Sequence, residues 1–263
     1  MTLSFCSFSS GSSGNCYLVK SQNTALLIDA GISSKRVHDG LDQSVTPLNL
    51  LSGLLITHEH SDHIKSIKTL WKRNQINVYA NLNTWAAIKI DIPDDNKKSF
   101  ISGEVFSIGD IEIKAFNVFH DATDPVGFSF YHQGKQISIV TDTGHVTEEI
   151  LEEIAGADLL ILEANHDVNM LKIGRYPWFL KQRVLSEEGH LSNEAAGEAL
   201  VKILSMNGKE RSVLLAHLSK ENNFPLMAYQ TVKNILEEKD YYIGRHIEVG
   251  MIVRDEISFV YEL

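Results

Sequence analysis

The stretch Thr57-His58-Glu59-His60-Ser61-Asp62-His63 places three imidazoles and the Asp62 carboxylate within six residues. It follows the apolar run 53–57, which reads as a buried strand. It precedes Ile64, Ile67, Leu70 and Trp71, which recur at helical spacing. A strand-to-helix turn of this kind can point its side chains into one cavity. Imidazole combined with carboxylate suits zinc, manganese(II) or iron(II). The bland alternative is a polar turn that happens to contain histidines, and four candidate ligands at this spacing argue against it. Lys65, Lys68 and Lys72 fall on the opposite side of the following helix and read as a solvated face rather than a polyanion contact.

Upstream of that turn the chain alternates short apolar runs with turn signals. Strands are expected at 4–8, 16–20 and 24–29, with a Ser/Gly loop at 9–15 and a helix at 33–41. Downstream, strands are expected at 77–80, 111–116, 127–132, 136–141 and 159–162, with a helix at 147–155. Ala196, Ala199, Leu200, Ile203 and Leu204 make one apolar helical face, opened by Ser192 or Asn193 as N-cap. A strand at 212–216, a helix at 226–238 and strands near 247–253 and 257–261 close the chain. No Pro/Gly-rich linker, repeat or low-complexity tract interrupts it. The pattern predicts an α/β protein, two sheets packed inside helices, in a single domain over residues 1–263.

The chain has 263 residues, 43% hydrophobic and 22% charged, an ordinary globular composition that excludes a disordered or collagen-like chain. Its 24 Lys and Arg against 34 Asp and Glu leave a formal charge of −10. Such a balance disfavours a protein that coats nucleic acid, because phosphate backbones need basic surfaces. Cys6 and Cys16, the two cysteines, cannot build a disulfide framework or a zinc ribbon. The opening Met1-Thr2-Leu3-Ser4-Phe5 lacks the basic and long apolar regions of a secretory signal, and no apolar run is long enough to span a bilayer. A soluble cytoplasmic protein with no membrane partner is expected.

His58-x-His60-x-Asp62-His63 resembles the signature of the metallo-β-lactamase superfamily, and the rest of that pattern follows in order. Asp29 follows Leu26-Leu27-Ile28, His120 follows Asn117-Val118-Phe119, Asp142 lies in Val140-Thr141-Asp142-Thr143-Gly144, and His217 ends Leu214-Leu215-Ala216-His217. The resemblance implies a four-layer αββα sandwich with a binuclear site holding two divalent ions, Zn2+ or Mn2+, with Fe2+ a further candidate. It implies His58, His60 and His120 on the first metal, Asp62, His63 and His217 on the second, and Asp142 bridging. Asp29 would orient the ligand loop through hydrogen bonds. Two metals would polarise a water and clamp both oxygens of a displacement. The superfamily opens β-lactams, thioesters, lactones and phosphodiesters with this apparatus, so the ligands imply a reaction type and leave the substrate open.

Three segments point to a branch. Leu162-Glu163-Ala164-Asn165-His166, Gly189-His190-Leu191-Ser192-Asn193 and the run 214–219 resemble motifs of the transfer-RNA 3′-processing nucleases. In those enzymes the matching Glu and His deliver a proton to the leaving group, which a phosphodiester needs because alkoxide leaves poorly. By that resemblance Asp62, Glu163 and His190 are the candidate catalytic residues, with His190 as general acid. Only 75 positions separate Asp142 from His217, too few for the inserted domain of the larger nucleases, and no Gly/Pro-rich substrate arm is visible. The opening 10–16, the segment 163–167, the run 176–183 and the segment 218–223 instead resemble the YycJ/WalJ/VicX family of Gram-positive bacteria. That resemblance implies a 5′-to-3′ DNA exonuclease linked to mismatch repair, typically encoded beside an essential cell-wall two-component system. The implied substrate is nucleic acid, single-stranded DNA first and RNA second. Protein partners and oligomeric state are left open.

Arg175, Lys181 and Arg183 lie between Glu163 and His190 in sequence and are candidate phosphate contacts, with ordinary surface charges as the alternative. Trp178 reads as a core aromatic more readily than as a base-stacking one. The 9–15 loop reads equally as a phosphate nest or a simple hairpin loop. His38, His132 and His246 carry no motif, whereas His145 and His166 sit beside metal or catalytic segments. Two other functions use the same residues: a small-molecule hydrolase of lactonase or thioesterase type, and a metal-stabilised regulatory partner of signalling proteins.

Overall fold

The aliphatic runs picked out above become buried strands in the computed structural model, which describes residues 3–263; Met1 and Thr2, part of the opening read for a leader, lie outside the described residues. The described residues fall into two units, one of residues 3–117, 122–135 and 255–263, the other of 118–121 and 136–254.

The first unit contains, in chain order, β1 (Ser4–Ser9), β2 (Cys16–Lys20), β3 (Ala25–Ile28), α1 (Ser34–Gln43), β4 (Leu51–Leu55), α2 (Ser61–Ile64), α3 (Ile67–Asn74), β5 (Val78–Asn81), α4 (Leu82–Ala87), β6 (Lys97–Phe100), β7 (Val105–Ile108), β8 (Ile111–Asn117) and β9 (Val126–His132). The second contains β10 (Lys135–Val140), α5 (Glu148–Ile154), β11 (Leu159–Glu163), α6 (Val168–Ile173), α7 (Trp178–Val184), α8 (Asn193–Met206), β12 (Ser212–Ala216), α9 (Pro225–Glu237) and β13 (Glu248–Met251); β14 (Tyr261–Glu262) returns to the first.

The first unit is built on a mixed sheet of order β14-β1-β2-β3-β4-β5-β6. β1, β2 and β3 pair antiparallel, and β3 to β6 run parallel, with Leu26 opposite Gly53 and Ile28 opposite Leu55. Phe8, Leu18, Leu27, Leu54, Ile56 and Leu70 lie in its core. β7, β8 and β9 form an antiparallel meander in the same unit. There Ile111, Ile113 and Ala115 are buried while Glu112 faces water, the period of two that a one-sided sheet dictates.

The second unit holds the parallel run β10-β11-β12-β13, with Ile139 opposite Ile161 and Ile161 opposite Leu214. Parallel strands covered on both faces read as continuous aliphatic stretches, and Leu159-Leu160-Ile161-Leu162 is buried throughout. α8 buries the expected Ala196, Ala199, Leu200, Ile203 and Leu204, and the Ser192 Oγ caps it by accepting from the Ala195 amide at 3.1 Å. Among the described residues no helix is long and apolar enough to cross a membrane.

Several elements differ from expectation for local reasons. The strand before the histidine loop ends at Leu55, so Thr57 stands beyond it. The helix after the loop is broken into α2 and α3 at Ser66, whose amide and hydroxyl both donate to the Ala30 carbonyl. β6, α4, β7, α6 and α7 carried too little periodicity to be read. β6 is Lys-Lys-Ser-Phe at the sheet edge, where lysines discourage further pairing and only Phe100 is buried. Within each unit the parallel strands point their C-terminal ends the same way. In the first, Asp29 and the 57–63 loop leave β3 and β4 together; in the second, Asp142, Glu163 and His217 end β10, β11 and β12. Open parallel sheets bind ligands at that end.

Candidate metal centre and catalytic pair

In the first unit, burial and hydrogen bonding orient the histidine loop. Asp29, fully buried, accepts from the Thr57 amide at 2.9 Å, the Thr57 hydroxyl at 2.9 Å and His63 Nδ1 at 2.7 Å. Burial pushes its carboxyl above the usual 3.8, and His63 and the hydrogen bonds offset part of that rise. The Thr57 hydroxyl, with its proton given to Asp29, accepts from His58 Nδ1 at 3.0 Å. Both rings thus carry their proton on Nδ1, by assignment from the network, and keep the Nε2 lone pair for a ligand. Asn15 Nδ2 lies 3.0 Å from His63 Nε2 and donates to it, which fits that tautomer and occupies the lone pair that an ion would take over. The His58 ring centroid lies 4.0 Å from that of His63 and 4.6 Å from that of His60, so the three imidazoles form one cluster. Asp62 Oδ2 stands 3.7 Å from His63 Nε2. Glu59 turns elsewhere: its Oε1 accepts from the Thr123 amide and hydroxyl, tying the loop to residues before β9.

The backbone beneath that loop leaves no room. A Cβ on Gly31 would stand 1.5 Å from the Asp62 carbonyl oxygen, which also accepts from the Asn15 amide at 2.8 Å. The Ser/Gly loop therefore serves this clamp: the amides of Gly11, Gly14 and Asn15 all bond within the protein, which removes them from a phosphate nest. Gly31→Ala is expected to displace the ligand loop, costing roughly 1–3 kcal/mol of stability by overpacking. Chemical denaturation and elemental analysis of bound metal should both register the loss.

In the second unit, Asp142, Glu163, His190 and His217 each offer a ligand-type atom within 4.8 Å of the others. Asp142 and His217 hold positive φ of 56° and 54°, and Asp29 in the first unit holds 59°. Non-glycine residues visit this left-handed region at a cost, and such residues recur at functional sites. Glu163 is the hub. One oxygen accepts from His190 Nδ1 and His217 Nδ1, each at 2.8 Å, and the other from the Thr143 amide at 2.9 Å and the Leu191 amide at 3.3 Å. Burial opposes ionisation of Glu163, but the charge of His190 and the bonds from both imidazoles outweigh it and hold the carboxyl at about 2. It is thus ionised wherever the protein is folded and working. His120 Nδ1 donates to the Gly189 carbonyl at 3.0 Å, and its Nε2 lies 3.9 Å from Asp142 Oδ1. Burial lowers its pKa. His217 and His120 thus present Nε2 as His58 and His63 do, the form in which imidazole binds a divalent ion. Within their respective units these donor sets fit a divalent metal in kind and tautomer.

Of the four clustered groups, His190 alone reaches solvent, with its side chain 20% exposed against 4% or less for the others. Arg183 pairs with Asp121, the neighbour of His120, through its Nε. Lys181 lies inward instead, only 9% exposed, and donates to the Lys172 carbonyl at 2.7 Å, which removes it from the surface a phosphate contact requires. Arg175 is exposed. Trp178, expected in the core, is 68% exposed, because α7 turns Lys181 and Val184 inward. Neither His38, bonded to the Ser34 carbonyl, nor His132, bonded to the Asp110 carbonyl, joins a cluster. Burial lowers the His166 pKa to about 4, so its imidazole stays neutral near Glu163. Asn15, Thr57, Thr143 and the Gly189 carbonyl are supporting groups the sequence reading missed. Their one signal was adjacency to motif residues.

Residues 24–218 match the family described as Beta-lactamase superfamily domain. Exodeoxyribonuclease YycJ of Bacillus anthracis is 40% identical over 252 residues, covering 95% of either chain. Exodeoxyribonuclease WalJ of Streptococcus pneumoniae is 38% identical over 245 residues, covering 91% of this chain and 90% of that one. The chain belongs to the YycJ/WalJ family of the metallo-β-lactamase superfamily. The metallo-β-lactamase fold protein YhfI of Bacillus subtilis, with a TM-score of 0.74 and 18% identity over the whole of both chains, agrees in fold. The α/β fold expected from the sequence is thus established, and this YycJ/WalJ-family chain is a metal-dependent hydrolase.

Proposed function

We propose that this protein is a nuclease that removes nucleotides from the 5′ end of single-stranded DNA, using two divalent ions, with zinc or manganese favoured over iron(II). The observation that carries this reading is the Glu163–His190 pair beside His217: a buried, ionised carboxylate holding the partly exposed imidazole by its Nδ1 at 2.8 Å. The names of the YycJ and WalJ relatives support a DNA substrate. Following the superfamily pattern, His58, His60 and His120 would hold one ion, Asp62, His63 and His217 the other, with Asp142 shared. Bound divalent ions supply Lewis acidity to the phosphoryl group and activate water at neutral pH.

This chain's own residues do the rest. Hydrolysis forms a new P–O bond from water and breaks the bond to a sugar oxygen, which would leave as alkoxide. Protonated His190, held at Nδ1 by Glu163, gives its Nε2 proton to that oxygen. Asp29 and Thr57 hold His58 and His63 in the ligating tautomer. The reading of residues 1–263 as one hydrolase domain is supported by the family match, which runs from residue 24 to 218 across both units. A role in mismatch repair and a cytoplasmic location complete the proposal.

The test offers 5′- and 3′-end-labelled single-stranded DNA, the matching RNA, and lactone and thioester substrates to metal-replete protein. Early release of the 5′ label as mononucleotide, with the 3′ label retained on shortening strands, is the expected result. Protein that opens lactones or thioesters and cuts no nucleic acid would overturn it.

A further inference from the structure

Lys65, Lys68 and Lys72 form one stripe in the sequence, but the chain does not fold them as one. The break at Ser66 leaves Lys65 at the C-terminal end of α2, whereas Lys68 and Lys72 ride on α3. An open cleft of about 520 Å³ in the first unit separates them further. Lys65 lines it together with Ser12, Ser61, Asp62, Ile64 and Ile90, and the other two lysines do not. Such a volume suits a small-ligand site, and a wall of half-buried isoleucines with a few hydroxyls and a cation suits a sugar and its phosphate.

Of the charged side chains in that wall, Glu59 and Asp62 are committed elsewhere. Glu59 turns its Oε1 to the Thr123 amide and hydroxyl. Asp62 stands 3.7 Å from His63 Nε2 as a candidate metal ligand. Lys65, three positions after Asp62, is exposed and makes no ion pair or hydrogen bond with the described residues, although charges at that spacing meet readily on a helix. Lys68, by contrast, has Asp91 at 3.8 Å. Ser12 is likewise exposed and makes no hydrogen bond with the described residues, while Ser13 beside it donates to Asp255. The cleft thus offers an ammonium and a hydroxyl without partners beside the carboxylate expected on the metal.

We infer that Lys65, with Ser12, grips a phosphate of the DNA strand next to the one being cut, so that the cleft holds the neighbouring nucleotide, its sugar against Ile64 and Ile90. Asp62 belongs both to the histidine loop and to the wall of the cleft, so a strand whose scissile phosphate reaches that loop has its next phosphate at hand. A phosphate contact of this kind positions the strand and reads no base. Lys65 is therefore a binding residue, set apart from the solvated lysines of α3. This inference rests on the nuclease reading and adds a substrate subsite to it.

The test compares metal-replete parent protein with Lys65→Ala, Lys65→Arg and Lys72→Ala, which removes the same charge outside the cleft. Degradation of 3′-fluorescently labelled DNA, offered as single strand and as blunt duplex, is followed at several salt concentrations. Lys65→Ala is expected to raise KM roughly fivefold with kcat little changed, the pattern of lost uniform binding. The slope of log KM against log salt should become shallower by about one, as for one lost phosphate contact. Lys65→Arg should keep the parental slope, and Lys72→Ala should keep both KM and slope. Substrates with a 5′-phosphate and with a 5′-hydroxyl separate two sources of the phosphate: a defect confined to 5′-phosphate ends assigns the terminal group, and an equal defect on both assigns an internal one. A parental KM and salt slope in Lys65→Ala overturns the inference, as does an equal defect in Lys72→Ala. A parent that hydrolyses bis(p-nitrophenyl) phosphate yet cuts neither form of DNA overturns the nuclease reading itself, and the subsite with it.

Discussion

Asp62→Ala is expected to abolish phosphodiester hydrolysis, with a fall of at least about three orders of magnitude in kcat and loss of bound metal. Asp62 is the carboxylate of the histidine loop, standing 3.7 Å from His63 Nε2 with its side chain 26% exposed. Removing it takes a carboxylate oxygen donor from a loop whose other candidate donors are imidazoles. Lewis-acid stabilisation of phosphoryl charge is worth several kcal/mol, and each 1.4 kcal/mol is about tenfold in rate. The fold should tolerate the change, because the Asp62 carbonyl, not its side chain, bonds Asn15. An unshifted melting temperature of the metal-free forms, with lower metal content by elemental analysis and no turnover, is the expected triple result. Full activity in Asp62→Ala would show that the loop is not the metal centre.

His190→Ala should lower kcat on DNA by about 10²–10⁴-fold, the span of general acid catalysis, while leaving metal content unchanged. The discriminating measurement is leaving-group dependence. p-Nitrophenolate leaves without protonation, so hydrolysis of bis(p-nitrophenyl) phosphate should fall far less than cleavage of a DNA strand. A structural role for His190 would depress both equally. Glu163→Gln should reproduce the DNA defect and add a stability loss, because the amide presents hydrogens where four donors already converge. Leaving a buried donor unsatisfied costs about 1–3 kcal/mol. The comparison separates the proton donor from the group that orients it: His190→Ala removes one of the four bonds to Glu163 whereas Glu163→Gln disturbs all four, so the fall in melting temperature should be larger in Glu163→Gln.

The candidate ligands could be read from sequence because most of them lie in or beside strongly patterned segments. His58, His60, Asp62 and His63 are contiguous, and Asp29, Asp142 and His217 each follow an aliphatic strand. The long parallel strands and α8 were likewise legible, since burial on both faces or on one helical stripe imposes a period that survives in the sequence. β6 and α7 were not. β6 is a lysine-bearing edge strand, and α7 carries aromatics outward and a lysine inward, against the usual rule.

By itself, then, the sequence disclosed the α/β class, most of the strands along the chain, the candidate donor residues and the family, because each rests on patterns within short segments. Tertiary structure decided what those residues do to one another. That one Glu163 oxygen serves both His190 and His217 depends on three strand and loop ends meeting from positions 163, 190 and 217. That Gly31 must lack a side chain depends on a carbonyl 31 positions away. That Lys181 is buried and Trp178 exposed depends on which side of a seven-residue helix meets the core. Hydrogen bonds and burial act through space at a few ångströms, and a chain folded back on itself sets those distances without leaving a periodic trace.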